Sequence, residues 1–312
     1  MFNSGLINSY HTYKEICRVS ELISFVDNIE PFIFEKDKSY VFIGCGSSFN
    51  IGQIVSEVLR KREIRAKAIT SGEFLAKSSL AEIVSNKYNT AILISRTGTT
   101  TETVEAARLL SGRMKTVGIT CETQSPLTDI CDIKFNLDFA HEESTVMTSS
   151  FSAIVRLLLN GIEKQKLRAD DFLEKYMGIL NCEKLSTKNH FVFLGYSERY
   201  FVSKESALKV EEMALSHTEF YEPLEYRHGP IALLGEKTHV TIFSTGSEVE
   251  RMLAEELIRK GASVDLLEPV SDVPEFEVQF LVLYGQLLGF MKAVSKGLNP
   301  DKPKGLVKSV IL

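Results

Sequence analysis

The sequence predicts an α/β protein of two tandem αβα sandwiches with mostly parallel sheets. Three observations lead there. Short apolar runs alternate with longer segments of helical periodicity, the pattern of strand–helix–strand crossovers. The runs are apolar at nearly every position, as in YVFIG over 40–44 and FVFLG over 191–195, which is the composition of strands covered on both faces. The pattern also restarts. Val41-Phe42-Ile43-Gly44 is echoed 151 positions later by Val192-Phe193-Leu194-Gly195, each run followed by a small polar loop and a helical segment. An echo on this scale reads as a duplicated unit.

Residues 1–38 form a helical lead-in, with Ile16, Val19, Leu22, Ile23 and Val26 at helical spacing. Residues 40–44 are the first strand, ending in Gly-Cys-Gly-Ser-Ser ahead of a helix over about 49–60. Strands follow at 64–69, 90–95, 116–120 and 133–137, with a helix over 100–110 and a longer helical region over about 145–182. After the second-half strand at 191–195, residues 205–230 run as a helix, a short extended piece and a terminal His228-Gly229-Pro230. Strands at 239–243 and 264–267 flank a helix over 249–259, and a last helix covers about 276–296. The domain layout expected is a lead-in over 1–38, a first sandwich over 39–165, a linker over 166–188, a second sandwich over 189–298 and a tail over 299–312.

Composition narrows the function classes. The 312 residues suffice for two domains, and 44% apolar with 25% charged residues is globular and soluble. A net charge of −5 supplies no basic field for nucleic acid or an anionic membrane. The first fifteen residues carry neither a basic start nor an apolar run, so no signal peptide is expected, and no stretch has the unbroken apolar length of a membrane span. Five cysteines without paired spacing read as reduced thiols in a cytoplasmic protein. Gly44-Cys45-Gly46-Ser47-Ser48-Phe49 lacks the third glycine of a dinucleotide fingerprint, and the six histidines are scattered. No cofactor and no metal are expected.

Two stretches carry chemistry. ISRTGTTTET, residues 94–103, places Ser95, Thr97, Thr99, Thr100 and Thr101 hydroxyls, the Arg96 cation and Gly98 at the junction of a strand with a helix start. Unpaired N–H groups and the positive end of a helix suit an anion there, and a small-molecule phosphate fits the set; helix capping alone accounts for one or two of the hydroxyls. Ser47 and Ser48 stand at the top of the first strand, where doubly wound sheets bind ligands. In the second stretch, Glu205, Lys209 and Glu212 share one face of a helix whose other sides are mostly apolar. A charged stripe on a buried helix is costly unless paired or used. Geometry alone leaves open a plain Glu205–Lys209 pair on a solvated face.

Taken in order, four motifs resemble the SIS (sugar isomerase) family, over nearly the whole chain from about residue 12. Gly44-Cys45-Gly46-Ser47-Ser48 is similar to its first-strand loop. Ser95-Arg96-Thr97-Gly98-Thr99-Thr100 is similar to its phosphate loop. Glu205-Ser206-Ala207-Leu208-Lys209-Val210-Glu211-Glu212, with His228-Gly229-Pro230 beginning sixteen residues beyond Glu212, is similar to its catalytic segment. Asn299-Pro300-Asp301-Lys302-Pro303 and Leu306-Val307-Lys308-Ser309-Val310 are similar to its C-terminal tail. The closer likeness is to the isomerase half of glucosamine-6-phosphate synthase and to the stand-alone glucosamine-6-phosphate deaminases and fructosamine-6-phosphate deglycases.

The resemblance implies two SIS domains with flavodoxin-like sheets and a sugar phosphate as the small-molecule partner. It implies that Ser48, Ser95, Arg96, Thr97 and Thr100 hold the phosphate, with Arg96 adding one positive charge to the loop. Glu212 would carry a proton between C1 and C2, His228 would open the sugar ring, and Lys308 would close over the substrate from the tail. Ser47, Glu142, Thr145, Thr148, Glu205 and Lys209 would line or orient the site. It further implies a homodimer in which His228 is shared across the interface. Position 2 is Phe where the synthase's glutaminase domain has its leading cysteine, so no glutaminase domain is expected. The expected reaction is conversion of glucosamine 6-phosphate to fructose 6-phosphate and ammonia. Deglycation of a fructosamine 6-phosphate, isomerisation of a non-amino sugar phosphate and non-catalytic sensing of a sugar phosphate are the alternatives.

Overall fold

The computed structural model describes residues 7–76 and 88–311. The chain forms two compact units. One holds Glu21–Glu142, Ser149–Gln165 and the chain from Val307 on; the other holds the chain up to Ser20, Glu143–Thr148 and Lys166–Leu306.

The first unit is built on five parallel strands, β1 (Ser39–Gly44), β2 (Arg65–Thr70), β3 (Thr90–Ile94), β4 (Lys115–Thr120) and β5 (Ile133–Asn136), in the order β2-β1-β3-β4-β5. This is the flavodoxin-like order, whose ligand crevice opens at the carboxyl ends of β1 and β3. Side-chain alternation sorts β1 between the two faces. Val41 and Ile43 join Ala91, Leu93, Val104, Ala107, Leu110 and Leu127 in one core layer. Phe42 turns the other way, toward the helix Ser47–Lys61: a Cβ added at Gly52 of that helix would lie 2.7 Å from the Phe42 Cβ. That glycine lets helix and sheet approach closely.

The second unit has four parallel strands, β6 (His190–Gly195), β7 (His217–Tyr221), β8 (Thr238–Phe243) and β9 (Ser263–Leu267), in the order β7-β6-β8-β9. Val192, Leu194, Val240 and Ile242 pack with Leu253, Ala254 and Leu257 of the helix Glu248–Arg259. Phe193 and Phe243 face the other way, stacked at 6.4 Å, and Phe243 meets Tyr284 edge-on. Tyr284 belongs to the helix Val278–Ser295, which is long and apolar enough to cross a membrane but is almost wholly buried in the protein. Its apolar content is that of a core helix.

The duplication is visible in the backbone. The turn after β1 places Gly46 at φ 54°, ψ −127°, and the turn after β6 places Ser197, 151 positions on, at φ 58°, ψ −128°. Glycine adopts this conformation freely; Ser197 holds it at a cost of about 1–3 kcal/mol.

Among the described residues the helical lead-in is two helices, His11–Cys17 and Val19–Val26, with no helix from there to β1, and two further elements differ from the sequence reading. The helical region over 145–182 is three helices, Ser149–Asn160, Ala169–Ile179 and Cys182–Ser186. The first ends at Gly161, whose N–H bonds the Leu158 carbonyl at 3.1 Å and whose own carbonyl takes the Phe34 N–H at 3.0 Å. A Cβ there would fall 2.0 Å from the Phe32 carbonyl oxygen, so only glycine fits. The extended piece before His228 is β7, paired in register with β6 from His190↔His217 to Leu194↔Tyr221.

Candidate active site

In the first unit, the site residues gather at the carboxyl ends of β1 and β3. Ser47 and Ser48 open the helix Ser47–Lys61 and are buried. A Cβ at Gly44 would sit 3.0 Å from the Ser48 Cβ and 3.1 Å from the Ile94 carbonyl oxygen, so glycine here allows Ser48 to stand beside the end of β3. Ser95 follows β3. Its Oγ takes the Gly98 N–H at 3.1 Å and lies 3.2 Å from Thr100 Oγ1. Gly98 has φ +64°, and a Cβ on it would lie 2.2 Å from the Ser125 Cβ. Both the conformation and the space therefore require glycine. Thr120 Oγ1 and the Cys121 N–H both donate to the Arg96 carbonyl, at 2.9 and 2.8 Å. The loop is thus held rigid from below while its hydroxyls crowd the start of the helix Thr101–Leu110.

Arg96 is ion-paired within its own unit. Its Nη1 lies 3.0 Å from Glu142 Oε2, and the Glu142 side chain is wholly buried. Glu142 also accepts from the Ser150 N–H at 3.0 Å and from Ser150 Oγ at 2.7 Å. The guanidinium thus stands beside a buried carboxylate, which fixes the direction of its N–H groups. Glu142 is placed to orient Arg96. No short-range pattern ties Ser150 to Arg96, so that partner was not legible in the sequence.

The tail joins this unit. Lys308 Nζ donates to the Glu142 carbonyl at 2.7 Å. Thr99 Oγ1 lies 3.0 Å from Ser309 Oγ and 2.9 Å from Thr97 Oγ1, within hydrogen-bond reach of both hydroxyls, and the Thr101 N–H reaches the Val310 carbonyl at 3.3 Å. Ser309, which the sequence reading passed over although it follows Lys308 directly, thus lies against the Thr97–Thr99 loop.

In the second unit, the helix Glu198–Ala214 carries Glu205, Lys209 and Glu212. Lys209 Nζ lies 3.2 Å from Glu205 Oε1 and 2.6 Å from Glu212 Oε2. Lys209 and Glu205 have fully buried side chains, whereas Glu212 is 21% exposed. The solvated-face alternative is therefore excluded. Burial alone would drive the Lys209 ammonium toward neutrality; the two carboxylates outweigh it and hold its pKa above the ordinary value. The result is a buried chain of charge in which a fixed cation presents Glu212 at the protein surface.

The helix is held by close packing against Val278–Ser295. A Cβ at Gly285 would lie 2.4 Å from the Ser206 Cβ, and one at Gly289 2.8 Å from the Lys209 carbonyl oxygen. His228 is exposed at the end of a 3₁₀ turn, its N–H on the Glu225 carbonyl at 2.9 Å, and Gly229 follows at φ +127°. Thr145 and Thr148 are also in this unit. The Thr145 N–H donates to the Asp301 carbonyl at 2.9 Å, and the Thr148 carbonyl takes a bond from Gln286 at 3.0 Å. These two bonds run through the backbone of the segment and tie it to Asp301 and Gln286.

Two flavodoxin-like parallel sheets, a glycine-pinned hydroxyl loop after β3 and a buried acid–base stripe define a SIS-type protein. The profile of the SIS domain family matches residues 33–160 and 184–264, and the chain belongs to that family. It is similar to glucosamine-6-phosphate deaminase from Thermotoga maritima, with 35% identity and a TM-score of 0.81 over 97% of this chain and 100% of that one. It also resembles the glutamine–fructose-6-phosphate aminotransferases (isomerizing) of Sulfurisphaera tokodaii and Pyrococcus horikoshii. The first is 25% identical over 94% of this chain and 53% of the relative. The second is 28% identical over 96% and 54%. The chain thus spans about half the length of these curated relatives. Tagatose-6-phosphate ketose/aldose isomerase from Escherichia coli, at 19% identity and a TM-score of 0.78, shares the fold.

Proposed function

We propose that the protein is an amino-sugar-phosphate isomerase that deaminates glucosamine 6-phosphate to fructose 6-phosphate and ammonia. The observation that carries the chemistry is the Glu205–Lys209–Glu212 stripe. A buried ammonium fixes a partly exposed carboxylate, as a proton carrier at carbon requires. The substrate class follows from the similarity to the Thermotoga maritima deaminase, which runs the length of both chains.

In this reading Ser48, Ser95, Arg96, Thr97 and Thr100 bind the phosphate, and its binding energy positions the sugar. His228 moves the proton that opens the ring, a task suited to an imidazole near neutrality. Glu212 takes the proton from C2 of the open aldehyde, giving an enolamine, and returns it to C1, giving the C2 imine. Water then adds at C2 and ammonia leaves, so that atoms balance without a redox partner. Lys308 closes over the bound sugar. The protein acts as a homodimer, and the exposed His228 serves the neighbouring copy.

The test is a panel of glucosamine 6-phosphate and fructosamine 6-phosphates scored for released ammonia or amine. Ammonia from glucosamine 6-phosphate is expected. Amine release from fructosamine phosphates alone would move the assignment to a deglycase. Glu212→Gln is expected to abolish turnover while leaving substrate binding within about tenfold; undiminished turnover would remove Glu212 from the mechanism.

A further inference from the structure

The second unit repeats the β3 turn of the first. β8 stands beside the central strand β6 as β3 stands beside β1. Each of these strands is followed directly by a serine and then a positive-φ glycine, Ser95 with Gly98 at +64° and Ser244 with Gly246 at +88°. In both, the serine hydroxyl takes the glycine N–H, across three residues in one loop and two in the other: Ser95 Oγ from Gly98 at 3.1 Å, and Ser244 Oγ from Gly246 at 2.9 Å. A helix starts directly afterwards in each case, at Thr101 and at Glu248.

The second loop already holds an anion. A single oxygen, Glu250 Oε2, accepts from Ser244 Oγ at 2.7 Å, the Thr245 N–H at 2.8 Å, Thr245 Oγ1 at 2.9 Å, Ser247 Oγ at 3.0 Å and the Ser247 N–H at 3.3 Å. An N-terminal capping box explains the bond from the Ser247 N–H and leaves the four hydroxyl and amide bonds from Ser244, Thr245 and Ser247 Oγ unexplained. Five donors around one oxygen suit a phosphate oxygen better than a helix cap. The side chain is fully buried, and its other oxygen, Oε1, has no hydrogen-bond partner among the described residues. A cap would gain nothing from a buried, unsatisfied oxygen.

We propose that the Ser244–Ser247 loop is a second phosphate cradle, occupied by the chain's own Glu250 carboxylate. The carboxylate stands in for a phosphate oxygen and excludes phosphate from the loop by charge and by volume. The second sandwich therefore keeps the architecture of an anion site without competing for the anion.

Inorganic phosphate is the probe. Binding stoichiometry is measured by calorimetry on the full chain, for the unaltered protein, Glu250→Ala and Glu250→Ala combined with Thr245→Val. Glu250→Ala is expected to take up one phosphate per chain more than the unaltered protein, and the double variant no more than it. Because the readout is a difference, it holds whether or not the Ser95–Thr100 loop binds phosphate; failure of that loop appears separately, in the unaltered protein. If Glu250→Ala does not fold in chloride buffer, its refolding is compared in phosphate and chloride at equal ionic strength. Recovery in phosphate alone supports the proposal. Equal phosphate uptake by the unaltered protein and the folded Glu250→Ala overturns it. So does an extra phosphate that survives Thr245→Val, or a Glu250→Ala chain that phosphate does not restore.

Discussion

Lys209 is an ammonium with no exposed side-chain atom, placed between two carboxylates. Lys209→Met keeps the length and removes the charge, leaving Glu205 buried without its counter-ion. The expected loss is about 3–5 kcal/mol of stability, seen as a lower midpoint in chemical denaturation. The pH dependence has a definite sign. The folded-state pKa of Lys209 is raised, so its contribution is complete below the ordinary lysine value and disappears as pH rises through the folded one; the variant lacks this alkaline limb. His239 works at the other end. Burial outweighs the nearby Asp265 and lowers its pKa to about 4, with the ring held between Ser263 Oγ at 3.1 Å and the Tyr284 hydroxyl at 3.0 Å. The unfolded chain takes up that proton near 6.5, so stability falls as pH drops from there toward 4, by about 3 kcal/mol in all. His239→Gln is expected to be less stable at pH 7 but to lose less across that interval; an unchanged acid limb would mean that another group sets it. At this scale the sequence was readable where side chains of one element face each other, as with Glu205, Lys209 and Glu212. It was not readable where partners come from distant segments, as with Arg96, Glu142 and Ser150.

The helix Glu198–Ala214 owes its position to two glycines on its neighbour. Gly285 and Gly289 lie four residues apart on Val278–Ser295, under Ser206 and Lys209. Adding a methyl at Gly285 drives it into the Ser206 side chain and backbone, so Gly285→Ala must push the two helices apart. The expected cost is about 1–3 kcal/mol, and because Lys209 and Glu212 ride on the displaced helix, kcat falls more than KM rises. Loss of stability with unchanged kcat would show that the helix position is not what sets Glu212. Strand and helix positions followed well from apolar periodicity, because strands covered on both faces announce themselves by composition. β7 was harder. His217-Thr218-Glu219-Phe220-Tyr221 is polar at three of five positions, as an edge strand beside β6 permits. The break at Gly161 was also hidden, because its cause is the Phe32 carbonyl more than a hundred residues earlier.

At the scale of the molecule, the chain is a duplicated sandwich whose halves have diverged in charge. The shared turn geometry of Gly46 and Ser197 records the duplication more clearly than the residues do, since only a four-residue strand end repeats in the sequence. Divergence placed the hydroxyl loop with its Arg96–Glu142 pair in one half and the Glu205–Lys209–Glu212 stripe in the other. His228 belongs to neither core. It is exposed, among the described residues, on a short turn before Gly229-Pro230. If His228 opens the ring as proposed, it needs a surface to work against, and a second copy of the chain supplies one under the proposed homodimer. Complementation tests this directly. Glu212→Gln and His228→Ala are each expected to be inactive alone. If each site draws His228 from the partner, one of the two sites in a mixed dimer carries both mutations and the other carries neither. Random reassortment of equal amounts should then restore about a quarter of the unaltered activity. If His228 serves its own chain, every site keeps one defect and mixing restores nothing. That result would place ring opening and proton transfer within a single copy.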